Sequence, residues 1–367
     1  MTDAMTVTRL LTRKDALHDT RIDTVTMTLP QDGEILLKID RAAITTNNIT
    51  YAAFGNAMQY WEFFPTGEAE WGHMPVWGFA DVVQSNVEGI EPGERFYGYF
   101  PLASHIKMKA VRVTQRGFYD GSEHRLALTS AYNQYMRCSS DAAYAREREN
   151  YQMLVRPLFI TSFMGADFLQ DNDFFGARQI VVSSASSKTA YGTAFCLHGK
   201  HGVRLTALTS SGNREFVQAL GCYDEIASYD AIGRLPAEQP TLYLDFSGDE
   251  GLRSAIHHHF GDALVYDCFA GSAQNTDFLQ DTGLPGPKPE FYFAPVQIRK
   301  RNSEWGHEVV NQRFNAAQLA FIQWVSGGDE PRMQVVESKG FEQARGLIKN
   351  MLDGWIDPQK GHVVLLA

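Results

Sequence analysis

One stretch of the sequence sets phosphate-capable side chains at the mouth of a helix. Ile180 to Phe195 reads IVVSSASSKTAYGTAF. Its opening suits a buried strand, its middle a tight polar turn, and its end a helix. The turn, Ser183 to Thr189, carries the hydroxyls of Ser184, Ser186, Ser187 and Thr189 and the ammonium of Lys188. A helix N-terminus offers backbone N–H groups and a favourable dipole to an anion. Dinucleotide loops usually have glycines here, because the pyrophosphate approaches bare backbone; this turn has none. A triphosphate loop needs G-x-x-x-x-G-K-[ST]. Ser187-Lys188-Thr189 imitates only its end, and Val182 and Ser187 occupy both glycine positions. A third reading is a serine N-cap on a helix that binds nothing.

Other reactive residue types are poorly spaced for chemistry. His257, His258 and His259 are adjacent. On a helix such neighbours diverge by about 100° and cannot converge on one ion, so they are read as partly exposed helix-end residues. His105 and His124 lack partners at ligand spacing, and no metal is assigned. Cys138, Cys196, Cys222 and Cys268 form no C-x-x-C pair, which suggests neither a zinc knuckle nor a disulfide framework. Cys196 and Cys268 lie in apolar patterns and are read as reduced core residues.

The elements that must position the turn follow from hydrophobic patterning. Gly33–Ile44, Pro75–Asn86 and Gly93–Val113 read as strands separated by Pro and Gly turns, an antiparallel, barrel-like region. Between Phe118 and Asn150 the signal is mixed: AYNQYMRC suggests a helix and DAAYARERENY a charged, exposed stretch. From Gln179 onward strands alternate with helices, which implies parallel strands with right-handed crossovers. Leu284–Pro295 is a Pro/Gly break around one further strand, and Asn311–Val325 an amphipathic helix. SGGDEP marks a boundary, followed by a strand, a helix and a final strand. The chain has 367 residues, enough for one large core or two ordinary domains. Its net charge of −10 argues against a general nucleic-acid binder, which needs clustered Lys and Arg. No apolar run is long enough to span a membrane, and the first twenty residues lack the apolar core of a secretory signal. A cytoplasmic protein is expected.

The order of these elements resembles the medium-chain dehydrogenase/reductase superfamily. The resemblance rests on DGEILLKIDRAAITTNNI, PVWGFADVVQSNVEGIEPGERFYGY and FEQARGLIKNMLDGWIDPQKGHVVLL. It implies an α/β protein: a GroES-like antiparallel barrel domain over 1–158, completed by 329–367, and an inserted doubly wound Rossmann-type domain over 159–328. Trp77-Gly78-Phe79-Ala80 stands where zinc-dependent members carry Gly-His-Glu, and clustered cysteines are absent. Zinc needs three or four converging ligands, so the resemblance is to the zinc-independent quinone oxidoreductase and enoyl reductase branches.

Under this resemblance the serine-rich turn falls on the superfamily's glycine-rich nucleotide turn. Loss of glycine restricts positive φ, so an altered turn geometry is expected. The next strand ends ALTSSGNREF, with no acid to hold a ribose 2′-hydroxyl. Ser210, Ser211 and Arg214 suit a 2′-phosphate, so NADP(H) is preferred over NAD(H); an ordinary surface arginine is the alternative, and Glu215 could pair nearby. The substrate would lie between the domains, with Ile44–Pro65 forming part of an aromatic cleft. Asn47 or Asn48 falls near the superfamily's loop Asn, and Tyr51 is a candidate proton donor; a pocket-wall role for Tyr51 stays open. Trp61, Phe63 and Phe64 are read as pocket or core. Arg156–Leu169 resembles the linker before the cofactor domain, with Thr161 or Ser162 near the nicotinamide. Lys300 or Arg301 could meet an anion, though a solvated basic cluster is the commoner explanation. The expectation is a zinc-independent NADP(H)-dependent oxidoreductase acting on a small, apolar carbonyl or enone compound. Its alternative is a fold relative that lost or changed the redox chemistry and acts as a small-molecule binding protein. The expected partner is a small-molecule substrate, not nucleic acid or membrane, and a homodimer is one open assembly.

Overall fold

A computed structural model describes residues 4–200, 202–270, 283–355 and 357–366. In chain order the elements are β1 (Ala4–Arg13), β2 (Ala16–Thr28), β3 (Glu34–Ile44), α1 (Thr46–Ala53), β4 (Trp71–Gly72), β5 (Val76–Ser85), β6 (Arg95–Phe100), β7 (His105–Thr114), β8 (Gly117–Asp120), β9 (Gln134–Arg137) and α2 (Glu149–Asp171). They continue with β10 (Gln179–Val182), α3 (Lys188–Leu197), β11 (Arg204–Thr209), α4 (Arg214–Leu220), β12 (Glu225–Ser228), β13 (Thr241–Asp245), α5 (Glu250–Phe260), β14 (Leu264–Phe269), β15 (Pro289–Phe291), α6 (Ala294–Trp305), α7 (His307–Ser326), β16 (Gln334–Lys339), α8 (Gly340–Leu352) and β17 (Lys360–Leu365). Two compact units result: Met1–Leu154 with Met333–Ala367, and Val155–Arg332.

In the first unit, β3, β5, β6, β9, β8 and β7 pair in that order, and β7 returns to β3, closing a six-stranded antiparallel barrel. Closure removes free sheet edges. β17 adds to β3, and β16 pairs in parallel with β17. The inward residues follow the period of two expected of a half-buried strand: Ile35, Leu37 and Ile39 of β3 join Val76, Ala80 and Val82 of β5 in one core, which α8 covers with Ala344, Ile348 and Met351. Gly78 has a packing cause. A Cβ there would lie 2.3 Å from the Arg41 carbonyl oxygen on β3. A separate sheet, β2-β1-β4, forms from the N-terminal hairpin.

The sequence reading needs correction in this unit. The 93–113 stretch is two strands, β6 and β7. AYNQYMRC is not a helix: it holds a short 3-10 turn at Ser130–Tyr132 and then β9. Tyr135 of β9 stacks on Phe118 of β8 with centroids 5.0 Å apart, and that barrel packing overrides the local helical pattern. The charged stretch ends in a buried residue. Glu149, fully enclosed at the start of α2, receives two bonds from Arg95 (2.6 and 2.8 Å) and one from the Tyr144 hydroxyl at 2.6 Å. Arg156–Leu169 lies within the 23-residue α2.

In the second unit six parallel strands run in the order β12-β11-β10-β13-β14-β15. Numbered within the unit this is 3-2-1-4-5-6, the doubly wound dinucleotide-binding order. All four residues of β10 are buried, as expected of a sheet covered on both faces. Val181 packs with Ile256 and Phe260 of α5. Elsewhere in the unit α2, α3 and α7 pack together through aromatic rings: Phe159 stacks on Phe321 at 4.5 Å, and Tyr191 lies 5.9 Å from Phe321.

Candidate functional site

The direction of chain winding reverses between β10 and β13. In sheets of this order ligands bind beyond the carboxyl ends of the strands at that point, and Ser183–Ser187 leaves β10 there. Ser183 is buried, and its Oγ donates to Asp245 Oδ1 at the end of β13 over 2.7 Å. The same Oγ accepts the backbone N–H groups of Phe246 (2.8 Å) and Ser247 (3.1 Å). The two strands that flank the crevice are thus tied by one hydroxyl. Asp245 is held in turn by Arg253 at 2.6 Å, and Arg253 reaches Asp267 at 2.8 Å. All three are buried.

Ser184 has a positive φ of 48°. Although loss of glycine restricts positive φ, the turn keeps one left-handed residue. A serine occupies the left-handed region, where a Cβ costs roughly 1–2 kcal/mol. Neighbouring tyrosines brace it. The Tyr229 hydroxyl accepts the Ser184 N–H at 3.2 Å, and the Tyr223 hydroxyl donates to the Ala185 carbonyl at 3.0 Å. The Ala185 N–H bonds to the Leu208 carbonyl of β11 at 3.0 Å. Ser187 is the N-cap of α3, and its side chain accepts the Ala190 N–H at 3.3 Å. Lys188 and Thr189 form the first turn of the helix, half-buried. Its first N–H groups have no partner within the helix, which leaves donors suited to an oxyanion.

The end of β11 reaches the same turn. Asn213 Nδ2 donates to Ser186 Oγ at 3.2 Å, a link that sequence reasoning missed. Ser210, Ser211 and Arg214 are exposed, and Arg214 opens α4. Glu215 is exposed beside it. Among the described residues no ion pair engages Arg214. Ser162 is fully buried, and its Oγ donates to the Thr189 carbonyl at 2.8 Å. Gly192, one turn further, allows that contact: a Cβ there would sit 2.7 Å from Ser162 Oγ. Ser162 therefore packs α2 against α3. The Thr161 carbonyl accepts the Tyr292 hydroxyl at 3.1 Å.

In the first unit, the loop after β3 becomes α1. Asn48 is buried and structural: its Oδ1 accepts the Thr45 N–H at 2.6 Å, and its Nδ2 donates to the Pro75 carbonyl at 2.7 Å. Asn47 is half-buried on α1, one turn before Tyr51. Tyr51 is only 5% exposed and sits among Tyr60, Tyr99 and Tyr132, with ring centroids 4.7, 5.4 and 6.0 Å away. Trp77 Nε1 donates to the Tyr51 hydroxyl at 3.2 Å, and the hydroxyls of Tyr60 and Tyr132 lie 3.2 Å apart. Burial pushes the Tyr51 hydroxyl up to about 12, against the opposing bond from Trp77. Tyr60 and Tyr132 are raised for the same reason. Tyr51 is therefore a protonated donor at neutral pH and a poor base. Trp61, Phe63 and Phe64 are buried core rings.

Two further expectations change. His257 is fully buried, with Nε2 2.8 Å from Asp267 and Nδ1 2.7 Å from the Pro285 carbonyl; only His258 of the triplet is exposed. The basic segment after β15 is helix α6, and Lys300 and Arg301 are paired with carboxylates of α2. Lys300 bonds to Asp171. Arg301 bonds to Asp167 at 2.6 Å and stacks on Trp305 at 4.4 Å. Neither is positioned as an unpaired anion receptor. Cys138, Cys196, Cys222 and Cys268 are free and buried, consistent with core thiols. Among the described residues no three His, Cys, Asp or Glu side chains gather as a metal site, and no helix is long and apolar enough to cross a membrane.

Comparisons with known proteins agree with this architecture. The family described as "Protein of unknown function (DUF2855)" matches residues 42–357. No curated protein matches the chain. Among solved structures, an NADPH:quinone reductase described as putative, from Bacillus thuringiensis, aligns with a TM-score of 0.60 at 11% identity, over 99% of this chain and 100% of that one. CurA from Vibrio vulnificus, solved in complex with NADPH, aligns at 0.59 and 12%, over 98% and 99%. CurK enoyl reductase aligns at 0.57 and 13%, over 98% and 99%. The shared fold is that of the medium-chain dehydrogenase/reductases: a GroES-like barrel and a Rossmann-type domain.

Proposed function

The chain belongs to the DUF2855 family, and we propose that it is a zinc-independent, NADP(H)-dependent oxidoreductase acting on a small carbonyl or enone compound. One observation carries the reading: the turn after β10, at the switch point of a 3-2-1-4-5-6 sheet, keeps a left-handed residue without any glycine. Strain of this kind persists where surrounding structure over-determines it, and such sites are commonly functional. The domain limits proposed from the sequence, 1–158 with 329–367 and 159–328, assign the turn to the nucleotide-binding domain.

The residues present fit a dinucleotide phosphate. Ser184, Ser186, Ser187 and Thr189 supply hydroxyls, Lys188 supplies charge, and the start of α3 supplies N–H groups. Ser210, Ser211 and Arg214 supply donors for a 2′-phosphate. CurA, of the same fold, was solved with NADPH. When bound, the nicotinamide supplies the hydride. The chain orients and donates: Tyr51, kept protonated by burial and oriented by Trp77, with Asn47 one turn before it on α1, presents an O–H to negative charge developing on a carbonyl oxygen.

A second reading also has an observation behind it. The Ser184 N–H is occupied by Tyr229, and Ser187 Oγ caps the helix. Both favour a fold relative that binds a small molecule without redox chemistry. Fluorescence titration of the full chain with NADPH and NADH separates them. The oxidoreductase reading expects saturable binding, at least tenfold tighter for NADPH. No response to either nucleotide at millimolar concentration overturns it in favour of the second.

A further inference from the structure

A cavity of about 240 Å³ lies in the first unit, bounded by the N-terminal hairpin and the Phe63–Pro65 segment. Neither Tyr51 nor the turn after β10 lines it. Val25 and Met27 of β2 and the rings of Phe63 and Phe64 give it apolar walls, while His73 and Arg125 give it polar ones. Two buried nitrogens of those polar residues lack any hydrogen-bond partner: His73 Nδ1 and Arg125 Nη2. Buried polar groups are ordinarily paired, and each exception calls for a cause.

Arg125 cannot turn to satisfy itself. Its Nε donates to the Phe63 carbonyl at 3.1 Å, and its Nη1 to Asn133 Oδ1 at 3.2 Å and the Tyr135 hydroxyl at 3.1 Å. Its guanidinium carbon lies 4.5 Å from the centre of the Phe64 ring. The group is locked with one nitrogen left over. Charge is not what is missing. Arg125 has Asp120 at 3.2 Å, Arg9 has Asp23 at 2.7 Å, and Lys107 has Glu34 at 3.1 Å. Burial, with nearby Arg9, depresses the His73 imidazole to about 3, so it is neutral at physiological pH. The volume falls below the roughly 300–1,000 Å³ of drug-sized sites, which limits an occupant to about one ring.

We propose that this cavity is a binding site for a small, uncharged, mostly apolar molecule bearing a carbonyl oxygen. The oxygen accepts from Arg125 Nη2, and from His73 Nδ1 in the tautomer that protonates that nitrogen. The apolar body rests on Val25, Met27 and Phe64.

The test uses the full chain without nucleotide, carrying a 13C-labelled methionine methyl group at Met27. It is titrated with acetophenone, with ethylbenzene (similar in size but lacking oxygen) and with benzoate (similar but charged). Acetophenone should shift the Met27 signal to saturation, and the other two should bind at least tenfold more weakly. Equal affinity for ethylbenzene, tighter binding of benzoate, or an unmoved Met27 signal at millimolar acetophenone overturns the proposal. Val25→Trp, which fills the cavity from β2, should abolish the acetophenone shift while thermal unfolding stays cooperative. Should that variant not fold, His73→Phe removes the imidazole nitrogens, Nδ1 among them, and acetophenone affinity unchanged from wild type overturns the proposal.

Discussion

The hydroxyl of Tyr229 accepts the backbone N–H of Ser184 at 3.2 Å, and Ser184 holds a left-handed φ of 48°. The residue just beyond β12 thus fixes the conformation of the turn after β10. Valine at 184 adds a β-branch to a positive-φ backbone and should cost about 1–2 kcal/mol. Glycine relieves the left-handed cost but loosens the unfolded chain by a similar amount, so Ser184→Gly should leave stability within about 0.5 kcal/mol. Tyr229→Phe should lose about 1 kcal/mol with the hydrogen bond. Urea midpoints check all three, and a stable Ser184→Val protein would contradict the assigned geometry.

Arg214 and Lys188 should separate by nucleotide. Arg214 is exposed, so a charge-assisted contact there is discounted for solvent to about tenfold in affinity. Arg214→Ala should weaken NADPH by that factor and leave NADH unchanged. Lys188→Ala should weaken both. Equal effects of Arg214→Ala on the two nucleotides would remove the 2′-phosphate role.

Tyr51 predicts an alkaline limit. Its hydroxyl is raised by burial from about 10 to about 12. The folded state therefore holds its proton more tightly than the unfolded chain. The resulting stability is complete below pH 10 and is lost as pH rises towards 12, on the order of 2–3 kcal/mol in all. Ultraviolet titration near 295 nm should show a late-ionising tyrosine that Tyr51→Phe deletes.

His73 predicts an acid limit of the opposite sign. Burial lowers its imidazole from 6.5 to about 3. The unfolded chain binds the proton first, so stability present above pH 6.5 declines as pH falls towards 3. The loss is several kcal/mol by linkage. His73→Gln should flatten denaturation midpoints between pH 6 and 4; an unchanged slope would show that other groups govern the acid limit.

Where one period dominated, the fold was readable. β3 was readable because Ile35, Leu37 and Ile39 recur at a period of two into the barrel core, and the segments from Gln179 onward change period at each crossover. β9 was misread because only tertiary stacking of Tyr135 on Phe118 selects the strand. The N-terminal hairpin, paired through ten register positions, also went unremarked: no residue of β2 is fully buried, so it lacks a strong apolar signal. At the candidate site the hydroxyl-rich turn was legible as local chemistry. Tyr223, Tyr229 and Asn213, which hold it, were not, because their contacts span 27 to 45 residues of sequence. The burial of His257 was likewise invisible, since it depends on Asp267 and the Pro285 carbonyl reaching it from later in the chain.

The pairing of β17 with β3, His362 opposite Ile44, ties the two ends of the chain into one sheet with the entire second unit threaded between them. Synthesis proceeds from the N-terminus, so the strand that extends the barrel sheet is made only after the whole second unit. The β10–β15 sheet, with its partners already translated, has the opportunity to form first. The first unit must wait with a sheet edge open, the state in which nascent chains are most prone to misassembly. Deletion of a few C-terminal residues should therefore cost this protein its yield of folded chains before it touches the nucleotide turn.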